Sequence, residues 1–256
     1  MSVKQNVIAL LEENRSKVIS GQELANQLHV SRAAIWKAIK TLKKLDVVIL
    51  PEAKKDMGST AYSIAKEYLK EDVELVFMEF PMLKNPLDRI EGRKANTRVV
   101  EKLLDEGKNV GFLTIGDTMT YSTYVYILEH LDKKYEVETI PGISSFADIS
   151  SRFNLPIVMG DESLKIIGLS ETTDIEKEIE GSDNLVFMKV SRNFDRLKAA
   201  LEKTGNMENV IMVSNCGKEN QEVYFDISHL EKDDIHYFST MLLKKGGIEQ
   251  WKKFIS

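Results

Sequence analysis

A single cysteine, Cys216, stands in a chain of 256 residues. That excludes an internal disulfide and fits a reducing compartment such as the cytoplasm. The four histidines, His29, His130, His229 and His236, lack the spacing by which histidines share a metal, so no metal site is expected. Only five prolines are present and no low-complexity segment, which excludes a Pro-rich or disordered chain. Long apolar runs are missing too. VVIL and VGFLTI fall far short of the roughly 20 residues that cross a bilayer, and no membrane partner is expected. The opening MSVKQNVIALLEENR lacks the basic start, long apolar run and small-residue cleavage site of a signal peptide.

Charge of one sign is scarce at the start of the chain. Residues 1–45 carry eight Lys/Arg against three Asp/Glu, a balance of +5, whereas the whole chain is −5. The remainder is therefore −10. A basic head on an acidic body predicts two modules with different partners.

In the head, Val7, Leu10 and Leu11 share one helical face. Ser20 followed by Glu23 is a capping-box signature for a second helix, and Ser31 is a good N-cap for a third, SRAAIWKAIKTLKKL. There Ile35, Ile39 and Leu42 form the apolar stripe. Arg32, Trp36, Lys40 and Lys43 fall on another face, with Lys37 and Lys44 beside them. A helix, a turn and a capped cationic helix make a major-groove reader, with Arg32, Trp36, Lys37 and Lys40 as its DNA-binding candidates. A plain helical bundle with solvated lysines remains the alternative. SGQELANQLHVSRAAIWKAIKTLKKL resembles the N-terminal helix-turn-helix of biotin operon repressors, although no wing hairpin follows LKKL.

The body alternates strand and helix patterns, which predicts an α/β fold. VVIL, VELVFME, VGFLTIG and YEVETIPG read as largely buried strands. STAYSIAKEYL, ANTRVVEKLLDEG, YSTYVYILEHLD and SSFADISSRFN read as the helices between them. Beyond Pro156 the strands LKIIGLS, NLVFMKV, NVIMVS, QEVYFDIS and YFSTMLLKK accompany one clear helix, RNFDRLKAALEKTG. The expected modules are 1–45, 46–155, 156–246 and a tail at 247–256, with a boundary near Asn154–Pro156.

One stretch, GFLTIGDTMTYSTYVYI, places Gly116 and Asp117 where a strand ends and a helix should begin after Thr120. Open α/β sheets bind ligands beyond such carboxyl ends. The ordinary alternative is that Gly116 serves a tight turn and Asp117 caps the helix. A second strand end, VETIPGISSF, turns at Pro141–Gly142 and presents Ser144 and Ser145 at a helix start.

Together, GFLTIGDTMTYSTYVYI and YEVETIPGISSFADISSRFNLPIVMGDESLKII resemble the tetrapyrrole methylase family, and within it the precorrin-2 or cobalt-factor II C20-methyltransferases of cobalamin biosynthesis. LDVVILPEAKK, the EFPM at 79–82, LVFMKVSRNFDRL and VSNCGKENQEVYFDIS extend the likeness over roughly residues 40–246. The resemblance implies a two-lobed α/β methylase fold, usually a homodimer, that binds S-adenosylmethionine and methylates a tetrapyrrole. Carried over by motif, the cofactor-binding residues are Gly116, Asp117 and Thr120, then Ser144 and Ser145, then Met188 and Lys189, then Asn215 and Cys216. Most of these contacts would be backbone, and no catalytic side chain is assigned.

The chain departs from that family where its first strand and Gly-rich loop should stand, because the helix-turn-helix occupies the place. In relatives the missing strand lies between those corresponding to VGFLTIG and YEVETIPG. Thr118 also replaces a usual proline. The sequence therefore leaves a second function open, a DNA-binding regulator whose methylase-like body senses a ligand without turnover, and a third, a recombined chain with neither activity.

Overall fold

The structure, a computed structural model, describes residues 44–52, 59–80 and 85–254. The helices expected over 1–43, with Arg32, Trp36, Lys37 and Lys40, lie outside the described residues, as do Pro81 and Met82 of EFPM. The chain divides into two compact units between Ile143 and Ser144.

The first unit is built on β1 (Val47–Glu52), whose residues Val47 to Leu50 are fully buried. It pairs in parallel with β2 (Glu74–Glu79) on one side and β3 (Val110–Phe112) on the other. A central parallel strand is covered on both faces, so VVIL reads as an unbroken apolar run. Between β1 and β2 lies α1 (Thr60–Ala65), where the Ser59 hydroxyl accepts the Tyr62 N–H at 3.4 Å. Between β2 and β3 runs α2 (Pro86–Asp105), capped by Asn85 and opened by a proline that lacks the N–H a first turn would leave idle. Its Thr97, Val100 and Leu103 form one buried stripe; the latter two pack with Val47, Ile49, Met78 and Ile127 of α3 (Tyr124–Leu128).

The register is pinned at the entrance. The Asp46 carboxylate accepts both the backbone N–H and the side-chain amide of Asn109, at 2.9 and 3.0 Å. These bonds hold its carboxyl below the usual range. Leu45 lies against Gly111 so closely that a side chain at 111 would collide with it.

Three expectations are corrected here. VELVFME is an edge strand rather than a largely buried one: only Met78 is buried, and Phe77 is 46% exposed. YEVETIPG forms no strand. Among the described residues β3 pairs with β1 alone, and this segment does not pair along its outer edge. Side chains anchor it instead: Tyr135 to Asp105, Thr139 to Tyr124, and Thr118 to the Ile140 carbonyl. The helix expected after Thr120 starts only at Tyr124.

The second unit contains α4 (Ser145–Arg152), β4 (Leu164–Gly168), α5 (Ile175–Glu180), β5 (Asn184–Met188), α6 (Phe194–Lys203), β6 (Val210–Ser214), β7 (Glu222–Tyr224) and β8 (Ser239–Lys244). Its sheet runs β4-β5-β8-β6-β7, with β8 antiparallel to both β5 and β6. Side-chain alternation sorts β5 between two cores. Leu185 and Phe187 meet Phe194, Leu197 and Leu201 of α6, whereas Val186 meets Ile149, Phe153 and Leu155. That second packing places α4 with this sheet. The observed division therefore falls earlier than the one expected near Asn154–Pro156.

At one end of β8 the Lys244 ammonium is buried and meets Glu162 at 2.7 Å and Asn184 at 3.3 Å. Hydrogen bonds from Lys244 and Asn184 hold the Glu162 carboxyl below its ordinary 4.5. A carboxyl depressed on folding stabilises above its unfolded value and loses that contribution as pH falls through the folded one. Glu162→Gln accordingly melts below wild type at neutral pH, and the gap closes in acid. Melting curves across pH check this; a gap independent of pH contradicts it.

Candidate functional site

In the first unit the chain leaves β3 through Leu113, whose N–H still reaches the Ile49 carbonyl at 3.1 Å. It then turns at Gly116 with φ +73°, a conformation open to glycine without strain. Asp117 Oδ1 accepts the Met119 N–H at 3.0 Å and the Thr120 hydroxyl at 2.8 Å. The carboxylate thus organises its own loop and does not cap a helix, since α3 starts seven residues later, at Tyr124. Gly142, at the end of the irregular segment 135–142, closes the corner. A Cβ there would collide with the Gly116 carbonyl oxygen and come within 2.8 Å of its carbon. Gly116, Asp117, Thr120 and Gly142 are therefore one backbone-lined corner.

The second unit holds the other predicted residues at one end of its sheet. Strands β5 and β6 both run antiparallel to β8, so their carboxyl ends lie on the same side. Each stops at a left-handed residue: Lys189 (φ +59°) after β5, and Asn215 (φ +52°) after β6. Met188 and Cys216 pack against the same apolar cluster, with Phe146 and Phe225. Ser144 occupies the N-cap position of α4 without a side-chain capping bond, while the Ser145 hydroxyl pairs with Thr240 of β8 at 2.9 Å.

Asn215 is 3% exposed. Its N–H donates to the Phe238 carbonyl at 2.9 Å and its Nδ2 to the Asn220 carbonyl at 3.4 Å. Its Oδ1 is buried and has no hydrogen-bond partner.

Beside it the Cys216 thiol donates to Asp148 Oδ2 at 3.3 Å, and Arg152 Nε donates to the same oxygen at 3.0 Å. Burial alone would raise the Asp148 carboxyl; the bonds from Arg152 and Cys216 outweigh it and hold the group below its usual value. Burial, then the Asp148 charge and hydrogen bond, push the thiol up to about 12. Since the thiolate is the reactive species, a thiol raised in this way should react slowly at neutral pH. Iodoacetamide at pH 8 should label the native chain about two or more orders of magnitude more slowly than the unfolded chain. Equal rates contradict the buried thiol.

Sequence reasoning missed Asp148, Arg152 and Thr240. The Asp148–Arg152 spacing of four on one helix was a usable signal for an ion pair. Their long-range partners, Cys216 and Ser145, carried none. Among the described residues no cluster of His, Cys, Asp or Glu is arranged to hold a metal, and no helix is long and apolar enough to cross a membrane.

A sequence model described as Tetrapyrrole (Corrin/Porphyrin) Methylases matches residues 36–231, and one described as an HTH domain matches residues 3–58. The chain is similar to the cobalt-precorrin-2 C(20)-methyltransferase of Salmonella typhimurium, 30% identical over 218 residues, which cover 84% of this chain and 90% of that one. The probable cobalt-precorrin-2 C(20)-methyltransferase of Methanocaldococcus jannaschii is 38% identical over 214 residues, 82% of this chain and 89% of that one. Among solved structures, a cobalt precorrin-4 methyltransferase of cobalamin biosynthesis superposes with a TM-score of 0.60 at 16% identity, covering 81% of this chain and 87% of its own. A uroporphyrin-III C-methyl transferase from Thermus thermophilus, complexed with S-adenosyl homocysteine, gives 0.55 at 15% identity, covering 82% and 90%.

Proposed function

Because the chain belongs to the tetrapyrrole (corrin/porphyrin) methylase family, we propose that it methylates C20 of precorrin-2 or cobalt-factor II in cobalamin biosynthesis. The observation that carries this is the corner in which Gly142 rests on the backbone of Gly116 beside Asp117. The two C20-methyltransferases at 30% and 38% identity support the choice of substrate.

The residues present fit S-adenosylmethionine. The first unit offers a glycine turn beside one carboxylate; the second offers an apolar strand end with a buried, unpartnered amide oxygen. When bound, that cofactor supplies a methyl group on an electrophilic sulfonium. On this reading Gly116, Asp117, Thr120, Ser144, Ser145, Met188, Lys189, Asn215 and Cys216 would hold it, mostly through backbone groups. Their task is placement, which lowers a barrier of this kind by roughly 7–11 kcal/mol when reacting atoms are held near contact. No proton-transfer triad is needed. We place the working protein in the cytoplasm as a homodimer.

Isothermal titration with S-adenosylhomocysteine tests the cofactor site. One saturable site per chain is expected, and no heat together with no thermal shift overturns it.

The helix-turn-helix match favours a second role alongside the first. Residues 36–58 fall within both family matches, so one segment ends the DNA-binding head and begins the methylase body. Arg32, Trp36, Lys37 and Lys40 are the groups we assign to DNA. Mobility shifts on the DNA upstream of the coding sequence should weaken steeply between 50 and 200 mM salt, as phosphate contacts require. An absent or salt-insensitive complex removes this role.

A further inference from the structure

The buried Asn215 Oδ1 is an acceptor without a donor, whereas the Ser145 hydroxyl and the Cys216 thiol at the same strand end are paired. Such an oxygen costs free energy unless something supplies an N–H or O–H. The left-handed backbone at 215 accounts for part of the residue choice, since asparagine tolerates φ +52° better than most. Glycine would serve the backbone equally well, so the backbone alone gives no reason for an amide oxygen. Nδ2 is committed to Asn220, which fixes the orientation and leaves Oδ1 as the free end.

Resting on the cofactor reading above, we propose that Asn215 Oδ1 accepts a hydrogen bond from the exocyclic amine of the adenine ring and so selects an amino purine over an oxo purine. The cofactor offers three kinds of donor. Its ammonium is charged and would be poorly compensated by one neutral amide oxygen in a buried place. Its ribose hydroxyls can rotate and donate elsewhere. The exocyclic amine can only donate in the plane of the ring, and it sits on a flat apolar group suited to the Met188 and Cys216 strand ends. A purine with a carbonyl at that position would set two acceptors against each other.

The test compares S-adenosylhomocysteine with S-inosylhomocysteine, its deaminated form, by titration calorimetry on the full chain. Wild type should bind the adenosyl ligand about 10- to 100-fold more tightly. Asn215→Gly keeps the left-handed backbone and removes the acceptor; it should bind the two ligands within about threefold of each other. Asn215→Asp retains an acceptor and should restore a preference for the adenosyl ligand. Equal binding of both ligands by wild type, or full discrimination by Asn215→Gly, overturns the assignment while the cofactor site stands. Failure of wild type to bind either ligand overturns both.

Discussion

Gly142→Ala should weaken S-adenosylhomocysteine binding by about 10- to 100-fold, the cost of one or two hydrogen bonds lost when the loop that makes them is displaced. The reason is local and steric. The new methyl group meets the Gly116 carbonyl oxygen and carbon, which are backbone and cannot rotate away. The Gly116–Asp117 turn must move, and the bonds from Met119 and Thr120 to Asp117 move with it. Gly92→Ala supplies the control. It lies in α2 with nothing within 4 Å of the added carbon, and an exposed helix gains about 0.5–1 kcal/mol from that exchange. Calorimetric titration of both variants reads the difference. Wild-type affinity in Gly142→Ala contradicts the close backbone packing.

Phe187→Ala should cost about 3–5 kcal/mol, the usual price of emptying an aromatic site in a packed core. Phe187 is fully buried on β5, on the face that meets Phe194 and Leu197. Its neighbours on both sides, Val186 and Met188, pack on the opposite face. The deletion therefore strikes stability without removing a side chain from the Met188 end of the strand. A loss of this size is a large share of a typical total of about 5–15 kcal/mol. Urea unfolding should show a lower midpoint with an unchanged slope, and saturating S-adenosylhomocysteine should recover part of the loss. A midpoint within experimental error of wild type contradicts the described core.

These two residues illustrate what the sequence disclosed. NLVFMKV, NVIMVS and YFSTMLLKK were legible as strands because central strands covered on both faces are written as continuous apolar runs. YEVETIPG carries a different strand signal, an alternation of apolar and polar residues, yet forms no strand, because pairing depends on a neighbour that no local pattern encodes. The edge position of β2 was hidden for the same reason. ANTRVVEKLLDEG marked the buried half of α2, while the helix starts nine residues earlier at Pro86, on an exposed turn where capping rather than periodicity is informative.

At the candidate site, the glycine at 116 and the carboxylate at 117 were visible as a strand-end motif. The role of Asp117 as organiser of its own loop was not, since helix capping and an Asx turn use the same residue type at the same spacing. The thiol of Cys216 could be located but not judged. Its pairing with Asp148, 68 positions away, is a tertiary fact.

The most direct measurement supplies reduced precorrin-2 or its cobalt-loaded counterpart, with S-adenosylmethionine, to the purified full-length chain and weighs the macrocycle by mass spectrometry. The account predicts a product heavier by one methyl group, with the label at C20 when the methyl carbon is isotopic. An unmodified macrocycle, recovered from a chain that binds S-adenosylhomocysteine and melts cooperatively, would contradict methyl transfer and leave a ligand-sensing body in its place.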